Sequence, residues 1–210
     1  MLEGAILGGI VGFIVAFMAG RKRLGAARRV NEAFRASGID GARALLDDWI
    51  PPVSGEVAVS KLLNVMERLA ALGVMGDLET LERELKSVSG ALTVSVQLKT
   101  IGTVGLLLGS EDRQRWVTDI EALATKVESE GGRMLTLVKR TTRFIARVGG
   151  ELVGRGACDL EARTRLANYA QKMGPFTKIL LLRLLVESAQ VTDRPVDELR
   201  ARLHKAERFV

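Results

Sequence analysis

A single cysteine, Cys158, and a single histidine, His204, stand in a chain of 210 residues. One cysteine closes no internal disulfide, so nothing in the chain points to an oxidising compartment. A protein zinc site needs several His, Cys or carboxylate ligands, and neither CxxC nor HxxxH occurs. No metal and no cofactor is therefore expected. Prolines number four, and aromatic residues make up only 4%. β-domains lean on β-branched and aromatic strands with alternating polarity, and no such alternating run appears. No GxxxxGK[ST] is present, and Gly149, Gly150, Gly154 and Gly156 follow no strand, so they form no dinucleotide fingerprint. The acidic pair Glu111-Asp112 falls in the first turn of a helix, where negative charge suits the helix dipole and no catalytic use is implied. No catalytic residue is expected, and the chain does not read as an enzyme.

What remains is rich in Leu, Ala, Val, Arg and Glu, a composition that favours helices. Hydrophobic residues are 47% and charged residues 27%, as in ordinary globular chains. The net charge is +6. Such a balance suits anionic lipid or nucleic acid, and equally a mildly basic surface. No basic-aromatic interleaving or DNA-binding motif appears, which argues against nucleic acid.

The chain opens on "LEGAILGGIVGFIVAFMAGRKR", and no charged side chain falls between Gly4 and Gly20. At about 1.5 Å per residue such a run is roughly 26 Å long, close to the thickness of bilayer hydrocarbon. A secretion signal would carry its positive charge before the apolar run. Here Glu3 precedes it, and Arg21, Lys22 and Arg23 follow it, with Arg28 and Arg29 shortly after. Positive residues stay on the cytoplasmic side and meet anionic headgroups. Residues 1–23 are thus expected to be a retained single-pass anchor with the N-terminus outside. Residues 24–210 would form a cytoplasmic domain. Gly4, Gly8, Gly12, Ala16 and Gly20 recur every fourth position. In lipid, small residues on one face let two helix backbones approach closely. The stripe is expected to pack on another membrane helix, that of a partner or of a second copy.

Beyond the opening, helices are expected near 24–37, 40–50, 56–72, 77–89, 91–108, 110–130, 133–153, 159–173, 175–190 and 195–208. Pro51-Pro52 stops the second. Asp77 and Ser110 are suited to cap later ones, as is Ser54. The apolar stretches "LTVSVQLKTIGTVGLLLG" and "FTKILLLRLLVESA" carry Gln97 and Lys99, or Lys178 and Arg183, and read as inner helices and not as further membrane spans. The breaks at Gly38, Gly73 and Gly109 recur at about 36 residues, which suits stacked helical hairpins. Gly102 precedes Gly109 by the same step as Gly149 precedes Gly156, and "ASGIDGARALL" sets a small residue, Ala42, after a turn. In this rhythm residues 26–208 resemble the tetratricopeptide-repeat family. The resemblance implies an α-solenoid, or a related helical bundle, that binds proteins and does no chemistry. An anchor, a basic stop and such repeats are together similar to bacterial membrane-anchored tetratricopeptide proteins, which act as scaffolds or assembly factors.

One further segment stands out. Within "RMLTLVKRTTRFIARVGGELVGRG", Arg140, Arg143 and Arg147 share a helical face, with Lys139 beside them. A basic amphipathic helix suits anionic lipid headgroups or an acidic partner. The whole chain therefore reads as all-α: one N-terminal membrane helix, then stacked hairpins. The expected role is a scaffold or accessory subunit of a membrane protein complex. The alternative is a self-assembling homo-oligomer, a ring or pore, driven by the glycine stripe.

Overall fold

The computed structural model describes residues 22–130, 136–156, 158–192 and 194–210, and over 2–21 the course of the backbone only. The fold is mainly helical, as the composition implies. The helices are α1 (Leu2–Trp49), α2 (Leu62–Met75), α3 (Leu78–Ser87), α4 (Leu92–Gly109), α5 (Arg113–Glu130), α6 (Thr136–Leu152), α7 (Leu160–Gln171), α8 (Pro175–Val191) and α9 (Asp197–Phe209). Two short strands, β1 (Gly55–Glu56) and β2 (Val88–Ser89), pair in parallel, Gly55 with Val88 and Glu56 with Ser89.

Most helix limits fall close to where sequence pattern sets them. Gly38 divides α1, with φ 72° and ψ −159°, a backbone conformation that glycine adopts readily and other residues rarely do. Asp77 caps α3 by accepting from the Thr80 N–H. Asp159 caps α7, its Oδ1 2.6 Å from the Ala162 nitrogen. Two starts differ from expectation. The helix expected at 56–72 begins only at Leu62, because residues 55–57 pair with β2 and the buried Val57 donates to the Ser89 carbonyl at 2.9 Å. The helix expected from Ser110 starts at Arg113, where Asp112 accepts from the Arg115 N–H at 3.2 Å.

The core lies around α4 and α8. Among the described residues α4 is long and apolar enough to cross a membrane by length and composition, and 61% of it is buried inside the domain. It packs on α2, α3, α5, α6 and α8. The apolar helix α8 packs on α2, α4, α6, α7 and α9 and touches α1. Its Phe176, Leu181, Leu182, Leu184 and Leu185 are fully buried. Late helices thus return to early ones, which a stack of nearest neighbours alone does not do.

Glycines set the closest approach. A Cβ on Gly73 would stand 2.8 Å from the Gly105 Cα, so α2 and α4 meet backbone to backbone there. The glycines of α4, Gly105 included, also receive leucines from α3. Leu85 sits on Gly102, Leu81 on Gly105 and Leu78 on Gly109. Steps of three and four residues run in opposite directions along the two helices, so each leucine drops into one notch.

Candidate protein-binding cleft

Four carboxylates are buried among the described residues; beside Asp77, which caps α3 and pairs with Arg43, stand Glu84, Glu151 and Glu67, and ionised groups inside a protein are costly unless paired. Each is used to tie helices together. The Arg68 side chain is 1% exposed and donates to both oxygens of Glu84, at 2.7 and 2.6 Å. It also donates to the Ile50 carbonyl at 2.6 Å and pairs with Asp47 at 2.7 Å, which joins α2 to α3 and to the end of α1. Burial alone would lower the arginine's pKa, but its hydrogen bonds to Glu84 and Asp47 and their charges outweigh it and raise the value.

Glu151 on α6 pairs with Arg163 on α7 and accepts from Ser188 on α8. It also accepts from the Cys158 backbone N–H at 2.7 Å. The thiol beside it is buried, and burial, followed by the charge of Glu151, pushes its pKa up. A reactive cysteine needs the opposite environment.

Glu67 on α2 accepts the Phe176 and Thr177 N–H groups at 3.0 and 3.1 Å. These belong to the first turn of α8, whose free donors and dipole favour a negative group. Gly174 makes room for the carboxylate, since a Cβ there would stand 2.3 Å from the Glu67 Cδ. Burial holds the Glu67 carboxyl above its ordinary range. No group of His, Cys, Asp and Glu suited to a metal occurs among the described residues.

The surface offers a different kind of site. A cleft of about 500 Å³ opens between α3, α4 and α5. Leu85, Leu106, Trp116 and Leu123 give it an apolar lining, and Lys86, Lys99, Arg115 and Lys126 stand around it with Glu82 and Asp119. Glu82 holds two of the cations, Lys86 at 2.9 Å and Arg115 at 3.4 Å. The Arg115 guanidinium also lies 4.3 Å from the centre of the Trp116 ring, a favourable cation–π placement. Lys99 and Lys126 are exposed and make no ion pair among the described residues. The Trp116 indole N–H is buried without a hydrogen-bond partner among the described residues. Such a surface can seat an apolar stripe while its rim favours negative charge.

The residues expected from sequence to carry function are spread over several places. Gly4, Gly8, Gly12, Ala16, Gly20 and Arg21 lie outside the described side chains. Lys22, Arg23, Arg28 and Arg29 are exposed on α1, and Arg23 donates to Asn64 on α2 at 3.0 Å. The expected basic face of α6 is partly neutralised. Arg143 pairs with Glu128 on α5, and Arg147 lies 3.6 Å from Asp159. Lys139 donates to the Glu128 carbonyl at 3.3 Å, while Arg140 is exposed and unpaired among the described residues. The α3–α4–α5 cleft was not legible in advance. Its lysines look like ordinary surface charge until the fold sets them around Leu85 and Leu123. Comparison with family models, with curated proteins and with solved structures finds no match.

Proposed function

We propose that the chain is a non-catalytic, membrane-anchored scaffold or accessory subunit of a membrane protein complex. Residues 1–23 form the anchor, with the N-terminus outside and the glycine stripe packed on a partner's membrane helix. Residues 24–210 form a cytoplasmic domain of packed helical hairpins, a bundle kin in rhythm to tetratricopeptide repeats. The observation that carries the reading is the α3–α4–α5 cleft. Its apolar lining and its two unpaired lysines, Lys99 and Lys126, suit an amphipathic segment of another protein that bears carboxylates. The buried ion pairs support the same reading, because each is used inside the fold and leaves the cleft to binding.

The test is a pull-down in mild detergent with three baits: the full chain, a chain lacking residues 1–23, and the full chain carrying Lys99→Glu and Lys126→Glu. A partner held by the first two and lost by the third binds the cleft. A partner lost only on removal of residues 1–23 docks through the anchor, and Gly8→Ile with Gly12→Ile should release it too. Recovery of the chain alone, as a defined oligomer, would replace the scaffold by a self-assembling protein.

A further inference from the structure

We propose that the face formed by α6, α7, α8 and α9, beside Leu24 of α1, docks on an anionic lipid surface. The proposal rests on the reading of residues 1–23 as a membrane anchor and adds a second contact to it.

Two neighbouring clefts carry the argument. One, of about 610 Å³, is lined by Leu24, Lys178, Lys205 and Phe209 among others. The next, of about 360 Å³, is lined by Leu137, Arg140, Phe144 and Lys172 among others. They adjoin, since Asn168 lines both. Among the described residues no Asp or Glu lines either one. That sets them apart from the α3–α4–α5 cleft, which holds Glu82 and Asp119. It sets them apart also from the α5–α6 cleft, where Glu121 and Glu128 pair with Arg155 and Arg143.

Four of the six cations that line these clefts are free among the described residues. Arg165 and Arg202 are each paired within their own helices, to Glu161 and Glu198. Arg140, Lys172, Lys178 and Lys205 make no side-chain hydrogen bond or ion pair among the described residues. Four unpaired cations on one side of a domain repel one another and attract an anionic surface.

Apolar side chains stand among these cations. Leu24 is 36% exposed, Phe209 51% and Leu137 67%. Cations with exposed leucine and phenylalanine are the composition of a face that enters the headgroup region of a bilayer. A soluble polyanion would use the charges and leave these side chains in water. Position in the chain points the same way. Leu24 lies four positions after Gly20, the end of the uncharged run, with Arg21, Lys22 and Arg23 between. The cleft therefore begins where the chain would leave the membrane.

The experiment uses the full chain with Leu137→Cys labelled by a polarity-sensitive fluorophore. The native Cys158 is buried and stays unlabelled in the folded protein. The protein is reconstituted into vesicles of phosphatidylcholine alone, or with a quarter phosphatidylglycerol. Flotation after an alkaline wash reports the anchor, and the probe reports docking. Docking predicts a blue-shifted probe, quenched by headgroup-labelled lipid, in the anionic vesicles only. The shift should fall about tenfold in Arg140→Glu/Lys172→Glu/Lys178→Glu/Lys205→Glu, whose unchanged helicity shows that it folds. It should also fall at high salt, which screens such contacts. A chain that floats on both vesicles with an unshifted probe keeps its anchor and overturns the docking face. A chain that floats only before the alkaline wash, only on anionic vesicles and only with the four cations present, keeps the docking face and loses the anchor. Floating on neither overturns both. A probe shifted as strongly by soluble polyglutamate would overturn the lipid assignment in favour of an acidic protein.

Discussion

Arg68 and Glu67 are adjacent in sequence, and both are buried, yet they answer burial in opposite ways. Arg68 keeps its charge because two carboxylates and a carbonyl surround it. Arg68→Ala leaves Glu84 buried without its partner. The expected loss is about 3–5 kcal/mol, read from urea unfolding. Arg68→Met with Glu84→Leu should cost clearly less, since neither charge is then stranded. Glu67 is held above its ordinary value of 4.5, chiefly by burial and against the opposing hydrogen bonds from Thr177 and Phe176. For a carboxyl shifted upward, the stabilising contribution belongs to the protonated form. It is present below the ordinary value and is lost as pH rises through the raised one. Glu67→Gln removes that titration. Stability of the native chain relative to Glu67→Gln should therefore fall as pH increases from about 4 to about 8. A flat difference across that range would show that the carboxyl ionises normally inside the fold.

At the scale of elements, the glycines of α2 and α4 decide how the inner helices meet. Gly73→Ala places a methyl group 2.8 Å from backbone, where no flexible side chain can give way. Overpacking of this kind costs about 1–3 kcal/mol, and the rigid contact puts the expectation at the upper end. Gly25→Ala is the control, because nothing lies within 4 Å of a Cβ there. In a helix it should be neutral or stabilising by up to about 1 kcal/mol. Chemical denaturation of the two variants checks both signs. The period of about 36 residues is visible in sequence, but the use of its glycines is not. Gly102 and Gly109 stand seven positions apart, and in the fold they are notches for Leu85 and Leu78. Helix limits were largely legible because caps, prolines and apolar periodicity are local signals. The late start of α2 was not, since Val57 is held by Ser89, far along the chain.

For the whole molecule, the return of α8 to α2 makes the domain one unit. That closure left little trace in sequence. "FTKILLLRLLVESA" says that α8 is buried and not what buries it, and Glu67 meets Phe176 from 109 residues away. The cleft between α3, α4 and α5 escaped for the same reason, as three helices supply it. The closure predicts a single cooperative transition in place of the stepwise loss open to a linear array. Trp49 packs against Phe176 of α8, their ring centres 6.3 Å apart, while Trp116 lies on α5. Urea titrations of Trp49→Phe and Trp116→Phe, followed by fluorescence, should each report the same transition as circular dichroism does. Separate midpoints within one variant would mean that the two regions unfold independently.

Ala26, Ala27 and Val30 are buried in the domain, and α1 runs unbroken through them from Lys22 to the bend at Gly38. The domain thus has no leash. Between Lys22 and the first packed alanine there is about one helical turn. Whatever grips the chain before Lys22 grips a rigid shaft seated in the domain itself. Turning that shaft turns α2 and α8 with it, and the faces of the domain keep a fixed bearing toward the grip.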